Sequence, residues 1–451
     1  MDSINRRGFL KTSAVTTAGL VAGAPLVKKG FAKNSPNETV NVGVAGIRGR
    51  GKAHYRNLAG LPNVKVTALC DVDENLFPEC IADMEKRAGY KPKTYMDYRE
   101  MLDDKELDAV SIATPDHWHA LHTIWACQAG KDVYIEKPIS HNITEGRRMV
   151  QAARKYNRVV QVGTQSRSSR VVHEGVKLLN DGIIGDIYMG RVIVYGARGN
   201  IEHVKDGKVP KGVDWNLFLG PAPYRPFNEN RFHYKWHWFW DYSTSEFGNN
   251  GTHGIDRLRW GMNKRVHPVK IQCMGDYFVY DSDQEIPNIQ AGAYRYEDGT
   301  IITLEVRSLP TNTEAGGKGG SFFYGSKGWM VMDHTNFHTF LGDKNEPGPS
   351  MTMKDVEIPK DKKVVQQFRG LDGPHLANFI DCVRSGRWQD LNADILGGHM
   401  STAFIHLGNI ALRTGRTLTF NPHSEKFVND PEADSYLTRQ YREPYVVPDK
   451  V

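Results

Sequence analysis

The stretch Val42-Gly43-Val44-Ala45-Gly46-Ile47-Arg48-Gly49-Arg50-Gly51 decides the fold of this chain. An apolar run leads into its glycines, and a segment with helical spacing of apolar residues follows them. Glycines between a strand and a helix let the backbone approach a pyrophosphate at the helix N-terminus. Gly46 and Gly51 match the outer glycines of the pattern GxGxxG, whereas Arg48 stands in the middle position. Either Gly49 supplies the flexibility one residue later, or Arg48 itself reaches the phosphates.

A carboxylate follows at the spacing that a dinucleotide site requires. Val64 to Cys70 has the pattern of a second strand, and Asp71 stands at its end, about 20 residues beyond the glycine loop. A carboxylate at that place accepts hydrogen bonds from both ribose hydroxyls and repels a 2′-phosphate. Asp71 therefore predicts NAD in preference to NADP as the cofactor.

The pattern of the chain changes near Gly163. Before it, short apolar segments alternate with segments of helical periodicity, which predicts a Rossmann domain with a doubly wound parallel sheet over residues 38–162. After it, longer segments alternate as strands do, at residues 187–196, 267–281, 289–308 and 320–333. Helical spacing returns at residues 373–386 and 394–414. We expect an α+β domain over residues 163–451 with an open, mainly antiparallel sheet.

The composition excludes several classes of protein. A chain of 451 residues, 39% of them hydrophobic, can bury two cores. The charged residues make up 24% of the chain, and both signs are interspersed. The net charge of +6 falls to +2 without residues 1–32, because that segment holds five basic residues and one acidic residue. No basic stripe remains in the sequence, so we expect no nucleic-acid partner.

Cysteine and histidine spacing gives no metal-binding pattern. The five cysteines are scattered and mostly embedded in apolar segments, which predicts buried thiols rather than disulfides or a metal site. His399 and His406 lie seven residues apart on a predicted helix, and no cluster of carboxylates and cysteines accompanies them in the sequence. We expect them to be packing residues, and we expect no metal.

The N-terminus carries Asn5-Arg6-Arg7-Gly8-Phe9-Leu10-Lys11, and an apolar run from Ala14 to Val27 follows. This pattern resembles a twin-arginine export signal, with Asn5 where Ser or Thr is usual. We expect residues 1–32 to be a signal peptide and the protein to be periplasmic or otherwise exported. The apolar run is too weak for a spanning helix, which needs about 20 apolar residues, so we expect no stable membrane insertion. An amphipathic N-terminal arm is the alternative.

Three further motifs carry a specific family resemblance. They are Ala113-Thr114-Pro115-Asp116-His117-Trp118-His119-Ala120, Glu136-Lys137-Pro138 and Asn249-Asn250-Gly251-Thr252-His253-Gly254-Ile255-Asp256. With Gly163-Thr164-Gln165 and the segment from Trp215 to Pro223, they make the chain resemble the glucose–fructose oxidoreductase / inositol dehydrogenase / MocA (Gfo/Idh/MocA) family. The resemblance covers nearly all of the chain beyond the predicted signal. It implies a carbohydrate or polyol substrate and a homo-oligomer, a dimer or tetramer, built on the open sheet.

The resemblance implies roles for individual residues. Lys137 would take the proton of the substrate hydroxyl or orient that hydroxyl, and Glu136 would shape the cofactor pocket. His253 matches the active-site histidine of the family, and both imidazole and a desolvated amine can exchange protons near neutral pH. Many relatives have Asp where this chain has Asn249. An amide can orient His253 or bind a hydroxyl, but it cannot stabilise an imidazolium as a carboxylate would.

Other residues of the same motifs complete the predicted site. Thr114, Pro115 and His119 are expected beside the cofactor. Gln165 and Asp256 are expected beside the substrate. For Asp256 a structural cap is the alternative.

The run from Arg231 to Tyr242 is unusually aromatic. Aromatic faces stack on the C–H faces of pyranoses, so Tyr234, His237 and Trp238 are candidate sugar-binding residues. A core or dimer-interface strand is the alternative. Arg167 and Tyr195, outside this run, are weaker candidates for the substrate site.

Together these features predict an NAD-dependent oxidoreductase that transfers a hydride at a hydroxyl-bearing carbon of a sugar, glycoside or polyol. Export favours an alternative, since a released NADH would not be reoxidised outside the cytoplasm. NAD would then stay tightly bound in a redox-neutral glycosidase, which oxidises C3, eliminates, hydrates and reduces again, or in a 3-keto-sugar processing enzyme. Relatives with a similar fold and export signal include the family 109 glycoside hydrolases. A non-catalytic sugar-binding protein that keeps NAD as a structural element is the third class.

Overall fold

The computed structural model describes residues 39–310, 319–357 and 370–451. The predicted signal peptide, residues 1–32, lies outside the described residues. Among the helices that are described, none has both the length and the apolar character needed to cross a bilayer.

Six parallel strands form the N-terminal sheet in the order β3-β2-β1-β4-β5-β6. The strands are β1 (Val40–Ala45), β2 (Val64–Cys70), β3 (Lys93–Tyr95), β4 (Ala109–Ile112), β5 (Asp132–Ile135) and β6 (Val160–Val162). The strand order reverses between β1 and β4, and at such a point the carboxyl ends of the strands open a crevice. The predicted doubly wound parallel sheet is confirmed, and β2 has the predicted bounds.

Helices cover both faces of this sheet. They are α1 (Gly49–Leu58), α2 (Phe77–Ala88), α3 (Tyr98–Leu102), α4 (His119–Gln128) and α5 (Ile143–Lys155). Successive side chains of a strand point to opposite faces, so one strand serves two cores. Val42 of β1 packs in one core with Tyr55 of α1. Ala45 of the same strand packs in the other core with Leu121 of α4.

Ten strands form the C-terminal sheet in the order β14-β13-β12-β11-β7-β10-β9-β8-β15-β16. They are β7 (Ile187–Tyr195), β8 (Lys270–Asp276), β9 (Ile289–Arg295), β10 (Ile301–Arg307), β11 (Gly319–Gly325), β12 (Gly328–Met332), β13 (Asn336–Leu341), β14 (Glu346–Thr352), β15 (Leu418–Asn421) and β16 (Lys426–Phe427). Neighbouring strands are antiparallel except for β7 and β10. The mainly antiparallel sheet is the predicted one, although no alternating pattern predicts β13 and β14.

Helices cover one face of the second sheet. The remaining helices are α6 (Arg170–Asn180), α7 (Trp215–Leu219), α8 (Thr252–Gly261), α9 (Asp372–Ser385), α10 (Ile395–Thr414) and α11 (Pro431–Ser435). α8 and α10 contribute to the core on this face, where Phe404 stacks on Tyr294 with ring centroids 3.8 Å apart. The opposite face of the sheet is open, and Met274 and Ile301 on it are 79% and 40% exposed.

Helix α9 belongs to the N-terminal domain although it comes late in the sequence. Leu376, Phe379 and Ile380 pack in the same core as Val42. Phe379 also meets the ring of Tyr134 edge-on, with centroids 5.8 Å apart. The chain beyond residue 163 therefore helps to build the first domain, which the predicted boundary does not anticipate.

A buried ionic cluster around Glu425 joins the two parts of the chain. Arg147 of α5 donates two hydrogen bonds to this carboxylate, and His267 and His399 each place Nε2 2.8 Å from its Oε1. The premise that no carboxylate accompanies His399 is therefore wrong. Arg147 forms an ion pair with the carboxylate, while the Nδ1 atoms of His267 and His399 have no hydrogen-bond partner among the described residues. The expected absence of a metal stays a prediction.

Burial keeps most of the described histidines neutral. It lowers the pKa of His117, His119, His122, His141, His233, His237, His253, His267, His334, His375, His399 and His406. At His406 the pKa falls to about 3, and Nε2 lies 3.1 Å from the Ser140 carbonyl oxygen. An unfolded histidine has a pKa of about 6.5, so the unfolded chain binds protons first as the pH falls.

We therefore expect the free energy of unfolding to decrease as the pH is lowered through about 6.5, and His406 to account for up to about 2 kcal/mol of the loss at pH 5. Urea unfolding at several pH values between neutrality and about pH 5 measures the change in the free energy of unfolding. His406→Gln keeps a donor but removes one of these titrating groups, so it should reduce the loss of stability at pH 5 by up to about 2 kcal/mol. The exposed His423→Gln is the control and should leave the pH dependence unchanged. Equal stability across this pH range would contradict the prediction.

Candidate active site

A cavity of about 730 Å³ lies at the carboxyl ends of β1 and β4. On one side its wall is formed by the loops that follow β1, β2, β4 and β5. On the other side it is formed by the segment from Phe232 to His253 and by His334. A crevice at the reversal of strand order is where a doubly wound sheet binds its ligand. This cavity is therefore the candidate active site.

The glycine loop forms one end of the cavity, and close packing requires two of its glycines. Gly46 has a φ of +77°, and a Cβ there would lie 2.6 Å from the Ala113 carbonyl oxygen. A Cβ on Gly51 would lie 1.7 Å from the Gly46 carbonyl oxygen. Gly51 lies behind the cavity wall, where its lack of a side chain lets α1 pack closely against the loop. Arg48 and Gly49 are part of the wall itself.

Asp71 lines the cavity at the end of β2. Its carboxylate accepts hydrogen bonds from the N–H groups of Ile47 and Asp73, at 2.9 and 3.2 Å. Burial raises the pKa of Asp71 to about 6, although both N–H groups favour the charged form. The loop predicted to bind pyrophosphate and the carboxylate predicted to bind ribose therefore lie side by side.

An aromatic stack lines the same part of the cavity. The ring of His122 stacks on Tyr98 and on Trp118, with centroids 4.1 and 4.5 Å apart. All three rings are part of the cavity wall. Flat, apolar surfaces of this kind suit a planar base. One motif contains Trp118, but the sequence predicts no role for these rings.

The Glu136 carboxylate anchors the middle of the cavity. Three side chains donate to it: Arg50 Nε at 2.8 Å, His54 Nε2 at 3.0 Å and Gln165 Nε2 at 3.3 Å. Burial alone would raise the pKa of Glu136, but Arg50 and His54 hold it well below its usual range. Arg50 also forms an ion pair with Asp372 at the start of α9. The network therefore ties the first helix and a late helix to the predicted catalytic motif.

Lys137 reaches from this motif to the C-terminal domain. Its Nζ donates a hydrogen bond to the Asn249 carbonyl oxygen at 2.6 Å. Burial lowers the pKa of Lys137, and the carboxylates of Glu136 and Asp116 offset part of that shift. A lysine with a lowered pKa can act as a base near neutral pH.

Asn249 and His253 face Lys137 from a π-helix, Phe247–Gly251, and the first turn of α8. π-Helical turns frequently occur at functional sites. The Asn249 amide donates to Glu246 Oε1 at 3.2 Å, which leaves Oδ1 as an acceptor. Burial lowers the pKa of His253 well below its usual range, so the ring is neutral. Its Nδ1 has no hydrogen-bond partner among the described residues.

Asp116 is a second buried carboxyl group on the cavity wall. Thr244 donates to it from the backbone N–H at 3.2 Å and from the hydroxyl at 2.8 Å. Burial raises the pKa of Asp116 to about 7, against the opposing effects of Thr244 and Lys137. Asp116 can therefore exchange a proton near neutral pH, a property that its motif alone did not indicate.

The aromatic run divides between the cavity and the core. Tyr234 and His237 line the cavity, as does Trp236, whose ring stacks on that of His237 at a centroid distance of 3.7 Å. Burial lowers the pKa of His237 to about 3. Trp238 does not line the cavity, because its ring packs in an aromatic core with Phe239. Trp236 belongs to the same aromatic core but also lines the cavity, whereas Trp238 does not.

Asp256 lies behind the cavity wall. Arg167 forms two hydrogen bonds with its carboxylate, at 2.7 and 3.0 Å, and Ser401 Oγ donates to it at 2.8 Å. These contacts favour the structural alternative for Asp256, and they occupy Arg167 in the same ion pair. Tyr195, at the end of β7, does not line the cavity either.

The loop after β4 is tied to the loop after β5. Thr114, Pro115 and His119 all line the cavity. The two ring nitrogens of His119 lie 2.7 Å from the carbonyl oxygens of Thr114 and Pro138. This imidazole therefore fixes the relative position of two cavity loops.

Part of the wall comes from residues that no sequence motif indicates. His334 enters from the turn between β12 and β13, and Leu371 and Asp372 enter from the start of α9. His233 lies in the aromatic run, and its Nε2 is 3.1 Å from Asp73. Only the tertiary fold brings these distant segments to one cavity.

Two family descriptions match the chain. Residues 40–164 match "Oxidoreductase family, NAD-binding Rossmann fold" of the Gfo/Idh/MocA group. Residues 194–447 match "Oxidoreductase family, C-terminal alpha/beta domain" of the same group.

Several proteins of known name are similar in sequence. "Glycosyl hydrolase family 109 protein 1" of Shewanella sp. (strain ANA-3) is 26% identical over 209 residues, which cover 42% of this chain and 46% of that protein. "Alpha-N-acetylgalactosaminidase" of Shewanella oneidensis is 25% identical with the same coverage. "Glycosyl hydrolase family 109 protein" of Shewanella pealeana is 26% identical over 311 residues, 64% of this chain and 60% of that protein. The chain spans about half the length of the first two relatives.

Solved structures share the fold at lower identity. A levoglucosan dehydrogenase in complex with NADH and levoglucosan has a TM-score of 0.62 and 17% identity, over 85% of this chain and 99% of that chain. The scyllo-inositol dehydrogenase of Lactobacillus casei, with bound NAD(H) and scyllo-inositol, has a TM-score of 0.61 and 19% identity over the same shares. The aldose-aldose oxidoreductase of Caulobacter crescentus, complexed with glycerol, has a TM-score of 0.61 and 19% identity over 85% and 100%.

The two glycines at the start of α1 give a matched pair of variants. Gly51→Ala places a methyl group 1.7 Å from a backbone oxygen, so it should displace the loop, lower the melting temperature and weaken dinucleotide binding at least tenfold. Gly49→Ala meets nothing of the protein within 4 Å and should not lower the melting temperature. Thermal unfolding and titration with NADH, followed by fluorescence, measure both effects. Normal binding by the Gly51 variant would show that the loop does not hold the dinucleotide.

Proposed function

The chain belongs to the Gfo/Idh/MocA oxidoreductase family, and from this premise we propose that it oxidises or reduces a hydroxyl-bearing carbon of a sugar, glycoside or polyol by hydride transfer with NAD. The observation that carries the proposal is the meeting of Lys137, Asn249 and His253 in the cavity that the glycine loop opens into. A base, an amide acceptor and an imidazole are the groups needed to bind a carbinol and take its proton.

The described residues fit NAD. Close packing leaves no room for a Cβ at Gly46, so the loop backbone itself forms the wall at the cavity end where a pyrophosphate would bind. The charged Arg48 side chain is exposed on the same wall and can neutralise phosphate. The Asp71 carboxylate would accept ribose hydroxyls and repel a 2′-phosphate, which supports NAD over NADP. When bound, NAD supplies the acceptor or donor of the hydride.

In this proposal, Lys137 transfers the proton of the substrate hydroxyl. Burial favours the neutral amine, which keeps a lone pair while one N–H donates to the Asn249 carbonyl oxygen. That lone pair can take the proton of the substrate hydroxyl as the carbon is oxidised. The same amine, once protonated, returns the proton in the reverse direction.

Asn249 and His253 would bind the substrate. The Asn249 Oδ1 accepts a hydrogen bond from a hydroxyl, because its NH₂ group is held by Glu246. His253 stays neutral through burial and can donate or accept without carrying charge. Trp236, His237 and Tyr234 would cover the apolar face of the ring.

We also propose that the protein retains its bound cofactor tightly. The segment between β7 and α7 folds back over the loop that follows Asp71. Gly212 accepts a hydrogen bond from the Glu74 N–H, and Asp214 donates its N–H to the Val72 carbonyl oxygen, both at 2.9 Å. Leu217 and Phe218, which follow this segment, line the cavity, and a wall held by these contacts would slow the release of a bound nucleotide.

The alternative is the redox-neutral glycosidase, or a 3-keto-sugar processing enzyme, in which the hydride returns to the sugar in each turnover. The similarity to family 109 glycosyl hydrolases supports it. Asp116 supports it as well, because elimination and hydration need an acid or base beyond Lys137, and this carboxyl has a pKa of about 7.

We propose two further properties that concern the whole protein. Arg6 and Arg7 support export by the twin-arginine route to the periplasm or beyond, which suits a protein that carries its cofactor while folded. The open face of the ten-stranded sheet, with Met274 and Ile301 exposed, supports a homo-oligomer formed through that face.

Lys137→Met should lower kcat/KM by about 10²- to 10⁴-fold, because it removes the base while keeping the length of the side chain. NADH binding, measured by fluorescence, should be retained. In the wild type, the rate of oxidation should rise with pH and level off below the ordinary lysine pKa of about 10.4, because the neutral amine is the active form. Lys177→Met, on the exposed surface of α6, is the matched control. Full activity of the Lys137 variant would contradict the assignment.

The cofactor after purification separates the two reaction types. Stoichiometric NAD released by denaturing the purified protein, with cleavage of nitrophenyl glycosides and no net NADH, is the result expected of the glycosidase. Turnover of added NAD with a free sugar or polyol is the result expected of the dehydrogenase. Absorbance at the NADH band and at the nitrophenolate band follows both in one assay. Neither activity over a wide panel, with no nucleotide bound, would contradict the proposed function.

A further inference from the structure

We propose that Glu246 is a positioning residue for Lys137, because its buried carboxylate holds the turn of backbone whose Asn249 carbonyl oxygen binds the lysine amine. The inference rests on the role proposed for Lys137 as the base. Glu246 stands directly before the π-helix, Phe247–Gly251. It is 2% exposed and does not line the cavity, so it acts on the reaction only through its neighbours.

Three side chains surround the Glu246 carboxylate, and all three are donors. The amide of Asn249 donates to Oε1 at 3.2 Å, and the amide of Asn250 donates to Oε2 at 2.5 Å. Arg198 forms an ion pair with the same group, with Nε 3.3 Å from Oε1 and Nη2 3.5 Å from Oε2. A carboxylate beside a guanidinium only accepts hydrogen bonds, so these contacts fix the orientation of both amides.

The carboxylate holds the π-helix at two consecutive residues. This turn has little room to adjust, since a Cβ on Gly248 would lie 1.8 Å from Thr244 Oγ1. The Asn249 carbonyl oxygen of the same turn lies 2.6 Å from Lys137 Nζ. Glu246 therefore determines where the acceptor of the lysine amine lies, and a base must be held in place in this way to meet the substrate hydroxyl.

The charge of Glu246 acts on Lys137 as well. Burial lowers the pKa of Lys137, and the charge of Arg50 lowers it further. Three carboxyl groups oppose this shift and raise that pKa: Glu136, Asp116 and Glu246. Burial keeps the imidazoles that interact with the lysine neutral, namely His119, His237, His253 and His334. Of the three carboxyl groups, only Glu246 also contacts the residue that accepts the hydrogen bond of the amine.

Arg198 extends this arrangement to the aromatic wall of the cavity. Its Nη1 donates to the Tyr234 hydroxyl at 3.0 Å, and Tyr234 lines the cavity. The guanidinium lies 5.7 Å from the centroid of the Trp238 ring, and the Arg198 N–H donates to the Ser308 carbonyl oxygen at 2.7 Å. The ion pair of Arg198 with Glu246 thus joins the turn that holds the lysine to the wall proposed to cover the sugar.

Two substitutions separate the position of the Glu246 carboxylate from its charge. Glu246→Asp keeps the charge but is one methylene shorter, so kcat should fall about ten- to a hundredfold while the pH dependence of oxidation stays close to that of the wild type. Glu246→Gln keeps the length but removes the charge. The rise of its oxidation rate with pH should move to lower pH, because the neutral amine of Lys137 then forms more readily. NADH affinity should be unchanged in both variants.

Glu425→Gln is the matched control, because Glu425 is also paired with an arginine but does not line the cavity. It should lower the melting temperature and leave the pH dependence unchanged. Steady-state kinetics over about pH 6 to 10, with NAD and a substrate of the wild type, measure the pH dependence. A profile of Glu246→Gln that coincides with that of the wild type, or a normal kcat for Glu246→Asp, would overturn the proposal.

A second measurement does not need turnover. In protein labelled with ¹³C-lysine, the Cε signal that is missing from Lys137→Met belongs to Lys137, and its chemical shift follows the protonation of the amine. The midpoint of this titration should lie at lower pH in Glu246→Gln than in the wild type. Equal midpoints would refute the action of Glu246 on the base. If the wild type turns over no sugar, the proposed function fails, while the titration still decides whether Glu246 acts on Lys137.

Discussion

The buried carboxylate of Glu136 is the constraint on which the site depends. An unpaired charge at this depth would be very costly, so donors must surround it. Arg50 and His54 come from the first helix, and Gln165 comes from the turn after β6. Gly163 leaves room for the carboxylate, because a Cβ at this position would lie 2.7 Å from it. Through this one charge, the glycine loop, the Glu-Lys-Pro motif and the start of the second domain have fixed relative positions.

Only those parts of the fold that depend on a local sequence pattern could be predicted. Strands β1, β2 and β5 are short apolar runs, and their bounds follow directly from the local pattern. Strand β14 contains two prolines, a glycine and several exposed residues, so its pattern does not indicate a sheet. The sequence pattern predicts helix α9, but its packing on the N-terminal sheet depends on distant contacts. Phe379 meets the ring of Tyr134, and Arg50 and Asp372, which are 322 positions apart, form an ion pair.

The residues of the candidate site could also be predicted only where they belong to local motifs. Asp71, Lys137 and His253 belong to local motifs, and all of them line the cavity. In the aromatic run, both tryptophans of the short 3₁₀ segment Lys235–Trp238 belong to one core, but only Trp236 also lines the cavity. No period of 2 or 3.6 residues describes such a segment. His334 could not be predicted, since a histidine in a turn has no local signal of its role.

The electrostatics of the cavity follow from the competition around Lys137. Burial favours the neutral amine, while Glu136 and Asp116 favour the ammonium form. Glu136 stays charged at all relevant pH values, but Asp116 has a pKa of about 7 and loses its charge just below neutrality. The charge of Asp116 therefore influences the protonation of Lys137, and the charge of Lys137 influences that of Asp116. Because burial keeps the neighbouring rings of His237, His253 and His334 neutral, no nearby imidazolium disturbs this balance, and the amine can change its protonation with each turnover.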